Sequence, residues 1–292
     1  MTFPLSGVTT WLFLPPLVAF VVSFFTSMGG VSGAFILLPF QMSVLQYTAP
    51  SVSGTNQLFN IVAIPSGVWQ YIKEQRMAWP LTWAVIIGTL PGVLIGAWLR
   101  LEYLPDPKNF KFFAGLVLLY IGIKLLTDIT RKKIHPQKKD SPEQQNFMIS
   151  ETHFSLQQAG FTFAGERYSF SVPGVFTLCF LVGIIGGIYG IGGGAIISPF
   201  FVTFFHLPVY AVAGAALMGT FVTSIAGVIT YQILARIYPE LSVAPDWYLG
   251  LLFGIGGFCG MYLGARCQKY VPAKAIKLIL CCCIFFVASK YL

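Results

Sequence analysis

The chain has 292 residues, of which 56% are hydrophobic and only 10% charged, with a mean hydropathy of +0.75. A soluble domain carries about 25% charged residues, so a water-soluble globule is excluded. The net charge of +8 would suggest nucleic acid in a soluble protein; here Lys and Arg fall between apolar runs, as they do in cytoplasmic loops of membrane proteins, and nucleic acid is excluded as a partner.

The uncharged runs set the class. No Asp, Glu, Lys or Arg occurs in the 72 residues from Met1 to Ile72 or the 68 from Tyr168 to Ala235, and shorter gaps cover Met77 to Leu99 and Trp247 to Ala265. About 20 apolar residues in a helix span a bilayer, whereas a barrel would show short alternating segments. The chain is therefore an all-α polytopic membrane protein. No basic n-region precedes the first run, so no cleavable signal peptide is expected.

In chain order, helical segments are predicted near 8–28, 33–46, 51–72, 79–100 and 109–128, then near 173–189, 193–206, 209–235, 247–267 and 273–291. This divides the chain into a first transmembrane repeat (1–128), a polar cytoplasmic linker (129–172) and a second transmembrane repeat (173–292). The linker holds Arg131-Lys132-Lys133 and Lys138-Lys139, then "FTFAGERYSF", which reads either as a short β-hairpin around Gly165-Glu166 or as an unstructured loop. The six cysteines, Cys179, Cys259, Cys267 and Cys281-Cys282-Cys283, form no Cys-x-x-Cys pair and read as buried small hydrophobes.

The two sets of segments resemble each other. Comparing 30–71 with 190–231 at an offset of 160 gives 11 identities in 42 positions, among them Gly30/Gly190, Gly33/Gly193, Pro39/Pro199, Phe40/Phe200 and Tyr71/Tyr231. At an offset of 168, Gly88/Gly256, Gly92/Gly260 and Gly96/Gly264 also coincide. Internal duplication is the mark of secondary transporters. If each repeat crosses an odd number of times, twelve Lys and Arg gather on one side, including those of the linker, against Arg100, Lys108, Lys111 and Arg236 opposite. An even count gives nine against seven. The positive-inside rule favours the first, and with it inverted repeats, a cytoplasmic linker and both termini outside. Segment 33–46 is then part of a crossing.

Two matched stretches carry the candidate chemistry: "MGGVSGAFILLPF" from Met28 and "YGIGGGAIISPF" from Tyr189. Clustered glycines destabilise a continuous helix by about 1 kcal/mol each, so both helices are predicted to break. Broken helices survive at membrane depth only where they line protein or a cavity, and a half-helix starting there turns free N–H groups and the positive dipole end toward an anion. The candidate substrate-binding residues are Gly30, Ser32, Gly33, Thr55, Asn56 and Gln57 from the first repeat, and Gly190, Gly192, Gly193, Gly194, Thr220 and Thr223 from the second. Ser53, Asn60, Ser224 and Gln41 lie nearby in sequence. The competing explanation is that small and hydroxyl residues only pack and bond adjacent helices. Carboxylates are absent from the confident spans apart from Asp128 at an edge, which argues against a proton relay or a carboxylate cation site. His206 reads as interfacial.

At "GIYGIGGGAIISPF", its degenerate partner "GGVSGAFILLPF" and the following "GTNQLFNIVAIPSGVWQY", the chain resembles the TauE/SafE sulfite-exporter family, also called the 4-toluene sulfonate uptake permeases. The resemblance covers both halves. It implies a transporter of sulfite, sulfoacetate or another organosulfonate in a bacterial plasma (inner) membrane, by export or uptake. Its partners would be that small sulfur anion, the lipid bilayer and, left open, a second copy in a homodimer; no cofactor and no metal are implied. Ser32 and Ala34 stand where the second repeat has Gly192 and Gly194, so the half-sites are unequal. Two other classes are carried: a non-transporting scaffold that uses 129–172, and an intramembrane protease with Ser32 as nucleophile. The second needs a general base, and only His206 is available. "GIYGIGGGA" lacks the P-loop Lys, which excludes nucleotide binding.

Overall fold

A computed structural model describes residues 1–130 and 148–272, and beyond them Ala275, Leu278, Cys281, Cys282, Ile284, Phe285, Ala288 and Ser289, all helical. The basic runs at Arg131–Lys133 and Lys138-Lys139 fall outside the described residues. The helices are α1 (Leu14–Met28), α2 (Ala34–Ser43), α3 (Ser51–Lys73), α4 (Trp79–Tyr103), α5 (Pro107–Thr130), α6 (Val172–Tyr189), α7 (Ile197–Phe204), α8 (Val209–Ile237) and α9 (Trp247–Cys267). Four of them, α4, α6, α8 and α9, are long and apolar enough to cross a membrane.

The first helix starts later than its apolar run suggests. Pro15 and Pro16 occupy its first turn, where a missing N–H costs nothing, and residues before it fold over the helix ends instead. Thr2 pairs with Thr9, Phe3 is buried, and the Ser6 N–H donates to Asp246 at 3.1 Å.

The contacts fix the direction of each helix. At one end of the bundle, the Ser51 N–H reaches the Ser242 carbonyl and the Tyr238 hydroxyl reaches Glu102; α3 and α9 start there, and α4 and α8 finish there. At the other end, Gln268 donates to the Met28 carbonyl and accepts from Tyr71 and Arg76. Between these ends α1 and α2 form a hairpin. Helix α1 runs to the second end, and α2 doubles back until Tyr47 bonds Ser51 and Thr55 at the first. Segment 33–46 thus runs back from the Gly30 bend toward the end where α3 starts, and among the described helices of that half α4 is the one long and apolar enough to cross a membrane. Helices α6 and α7 form the same kind of hairpin from the opposite end, with Phe205 beyond α7 lying against Gly174 at the start of α6.

Glycines let the long helices touch backbone to backbone. An ideal Cβ would lie 2.4 Å from the Phe180 carbonyl oxygen at Gly92 and 2.3 Å from the Ile184 carbonyl oxygen at Gly96. On the other side it would lie 1.9 Å from the Pro16 oxygen at Gly256 and 2.3 Å from the Phe20 oxygen at Gly260. Helix α4 therefore lies on α6 as α9 lies on α1.

Three antiparallel strands, β1 (Ile149–Phe154), β2 (Gln158–Phe163) and β3 (Glu166–Ser171), precede α6. Of the two readings of the stretch around Gly165-Glu166, the structure has the β-hairpin, as β2 and β3. Ala164 and Gly165 both have positive φ, 51° and 79°, the backbone of a tight two-residue turn whose twist suits the strands. Strand β1 adds to its edge, and the Ile149 N–H bonds the Gln75 carbonyl. Cys179 is buried as expected, but Cys259 and Cys282 face outward, where an apolar thiol suits a lipid-facing surface as well as a core.

Candidate functional site at two interlocked bends

Helices α1 and α6 end alike. Gly30 and Gly190 take left-handed φ values of +66° and +76°. The next N–H in each case, Val31 and Ile191, bonds back to Thr26 and Gly186, the Schellman closure that glycine permits. The arms α2 and α7 also end alike, with Gln46 and His206 in left-handed turns at φ 58° and 56°. His206 is exposed there.

The bends lock into opposite halves. A Cβ on Gly30 would lie 2.4 Å from Ala213 Cα on α8, and one on Gly190 would lie 2.3 Å from Ser53 Cβ on α3. Ser198 donates to the Gly29 carbonyl at 3.2 Å. Between the bends stand two asparagines of α3, four residues apart and so on one helical face. Asn56 donates to the Ala34 carbonyl at 3.0 Å and the Gly190 carbonyl at 3.2 Å and accepts from Gln41. Asn60 donates to the Ile191 carbonyl at 2.9 Å and to Ser224, and accepts from Ser32. Each asparagine thus holds both bends at once.

The site residues read from sequence divide into groups. Gly30, Ser32, Gly190 and Asn56 meet at this hub, and Gly192 (φ +84°) lies against Ser224 and Thr220. Gly193 donates its N–H to Thr223 at 3.0 Å, and Gly194 presses on the Ala216 carbonyl and Thr220 N. Gly33 packs on Ser23 and Phe59. Thr55 stands toward the first end, accepting from the Asp246 N–H at 2.8 Å. The hydroxyl hydrogens of Thr55, Thr220 and Thr223 go to backbone carbonyls one turn away, so these side chains are engaged within the protein. Gln57 differs: it is buried, and neither its amide nitrogen nor its oxygen has a partner among the described residues.

Ser32 is not arranged as a nucleophile. Its hydroxyl donates to Asn60 and accepts from the Ala34 N–H, so no imidazole takes its proton. The sequence-based list omits Asn60, Tyr231 and Arg100. Arg100 had counted as a loop charge because it ends the uncharged run; helix α4 continues to Tyr103 and carries it into the interior, where it is 0% exposed.

Gly190→Ala is expected to combine left-handed strain, about 1–2 kcal/mol, with a forced displacement of Ser53. Gly165→Ala shares the positive φ but meets nothing within 4 Å. Thermal unfolding in detergent should show Gly190→Ala falling well below Gly165→Ala. Equal shifts would mean that the bend does not bear on α3.

A helical membrane bundle in which two returning arms meet at buried polar groups belongs to the class of multi-pass membrane transporters. The family model for the sulfite exporter TauE/SafE matches residues 16–291, and the chain belongs to that family. It is 24% identical over 263 residues to the "Probable membrane transporter protein YunE" of Bacillus subtilis (strain 168), covering 87% of each chain. It is 29% identical over 104 residues to the "Probable membrane transporter protein YdhB" of the same organism, covering 35% of this chain and 38% of that one. No solved structure matches it.

Proposed function

We propose that this chain exports a small sulfur oxyanion or organosulfonate, such as sulfite or sulfoacetate, across a bacterial plasma membrane by alternating access. The carrying observation is the asparagine hub at which bends from both halves meet. The two halves are read as inverted repeats: α6 lies on α4 as α1 lies on α9, and each hairpin starts from the opposite end of the bundle. Rocking one half against the other would expose the hub to each side in turn. Basic residues support a cytoplasmic placement of the sheet-bearing end, where Lys73, Arg76 and Arg167 lie with Arg266, in line with the positive-inside rule. The substrate class follows the family, and no carboxylate, which would repel an anion, bonds to the asparagine hub among the described residues.

An inside-negative potential drives an anion outward by about 2.3 kcal/mol per charge per 100 mV, so export needs no coupling ion. In proteoliposomes loaded with ³⁵S-sulfite, an imposed inside-negative potential should speed efflux of the anion. Efflux indifferent to the potential would rule out electrogenic export. Uptake that strictly requires Na⁺ or H⁺ would reverse the direction.

A further inference from the structure

We infer that Arg100 is the counter-charge for the transported anion, holding its oxygens beside the Gly190 bend together with Tyr231 and Ser53. This rests on the anion-transport reading and adds a site to it. Arg100, Tyr231 and Ser53 are each 0% exposed. Three nitrogens of the Arg100 guanidinium lack a hydrogen-bond partner among the described residues, and the Tyr231 and Ser53 hydroxyls have none but each other. They belong to one cluster. Tyr231 packs in one cluster with Ala97 and Leu101, on the stretch of α4 that carries Arg100, and lies against Gly54 beside Ser53, while Ser53 abuts Gly190. The Phe110 ring covers one face of the guanidinium at 3.7 Å from its centroid, and the nitrogens in the guanidinium plane are the donors left over. Phe110 in turn packs on Tyr189, the last residue of α6.

A buried charge without a partner is heavily penalised; of the carboxylates at this end Glu240 is exposed and the other three are occupied elsewhere. Glu102 accepts from Tyr238, Asp106 from the Lys108 N–H, and Asp246 from the Ser6 and Leu249 N–H groups.

The other half of the molecule provides an internal control. At the offset of 168, the position matching Arg100 is Gln268. There the corner is closed: Gln268 accepts from Tyr71 and Arg76 and donates to the Met28 carbonyl. Arg76, buried like Arg100, has Glu74 at 2.6 Å. The matched corners thus differ in that buried Arg76 has a carboxylate and an amide oxygen as acceptors, while the Arg100 nitrogens have no acceptor among the described residues. Planar guanidinium donors suit a sulfonate or sulfite head, which offers two or more oxygens on one face.

The test uses the full-length protein in detergent, with sodium sulfite and sodium sulfoacetate as probes, following thermal shift and binding heat. Wild type should be stabilised by a probe. Arg100→Gln should lose that response, with the dissociation constant weakened about 30-fold or more, while its ligand-free melting temperature holds or rises because an uncompensated charge has gone. Tyr231→Phe should weaken binding less and remain folded, giving a second reading if Arg100→Gln does not fold. If the wild type responds and both variants respond equally, the Arg100 assignment fails while anion transport stands. If Arg100→Gln lowers ligand-free stability and Tyr231→Phe binds as wild type, Arg100 is structural. If the wild type responds to neither probe, both the assignment and the transport reading fall.

Discussion

Asn56→Leu is expected to remove transport and to lower thermal stability more than any other single side-chain truncation at the hub. The side chain is fully buried and its two N–H groups go to the Ala34 and Gly190 carbonyls. Leucine fills the volume but strands both acceptors, each at about 1–3 kcal/mol, and leaves the Gln41 amide without its acceptor as well. For a chain of this size each kcal/mol moves the melting temperature by about 2–4 °C, so a fall of roughly 5 °C or more is expected. Asn56→Asp should be no better, because a carboxylate turns acceptors toward acceptors. Asn60→Leu should behave in kind, stranding the Ile191 carbonyl. The double variant should cost less than the sum, since both residues hold the same pair of bends and coupled neighbours are not additive. Measurement is by detergent melting and by sulfite efflux from proteoliposomes; an Asn56→Leu protein with unaltered melting and flux would show that the hub holds nothing together.

The helices and the two bends were legible in the sequence because charge-free length and clustered glycine are local signals. The offset of 160 that aligned Gly30 with Gly190 also aligns Gln46 with His206, whose shared left-handed backbone has no signal in residue identity. The direction of α2 was not legible: a 14-residue apolar segment carries no signal of which way it runs, and it is the closure at Gly30 together with the Tyr47 bonds to Ser51 and Thr55 that sets it. Arg100 was misplaced for a different reason. A charge next to an apolar run looks like a loop until the helix is seen to continue past it, and nothing in sequence says that Phe110 and Tyr231 will close around it. Sequence could not separate Asn56, which clamps the bends, from Gln57 one position on, whose amide faces Gly227 without a partner among the described residues.

The largest structural effect is expected where helices meet through glycine, at Gly92 on α4 and Gly260 on α9. An alanine at Gly92 would put its Cβ 2.4 Å from the Phe180 oxygen and 2.8 Å from the Ile184 nitrogen; at Gly260 it would lie 2.3 Å from the Phe20 oxygen. These are backbone atoms, so no rotamer change relieves them, and the helix pair must separate by several tenths of an ångström along its tightest contact. Small residues exist at such interfaces to allow that approach, and overpacking costs about 1–3 kcal/mol even where side chains can adjust. Gly67→Ala is the contrast: its nearest neighbour would be Met261 Cβ at an ordinary 3.5 Å, and alanine gains about 1 kcal/mol in a helix interior. Melting should therefore rank Gly67→Ala at or above wild type and the other two far below, with Gly92→Leu and Gly260→Leu failing to yield folded protein. The consequence reaches the site, because α6 carries Gly190 and α1 carries Gly30. A helix pushed off its partner takes its bend away from the asparagines, so surviving Gly92→Ala protein should lose transport beyond what its reduced amount explains. Flux per folded molecule equal to wild type would mean that the bends are held by the hub alone, independent of the helices that deliver them.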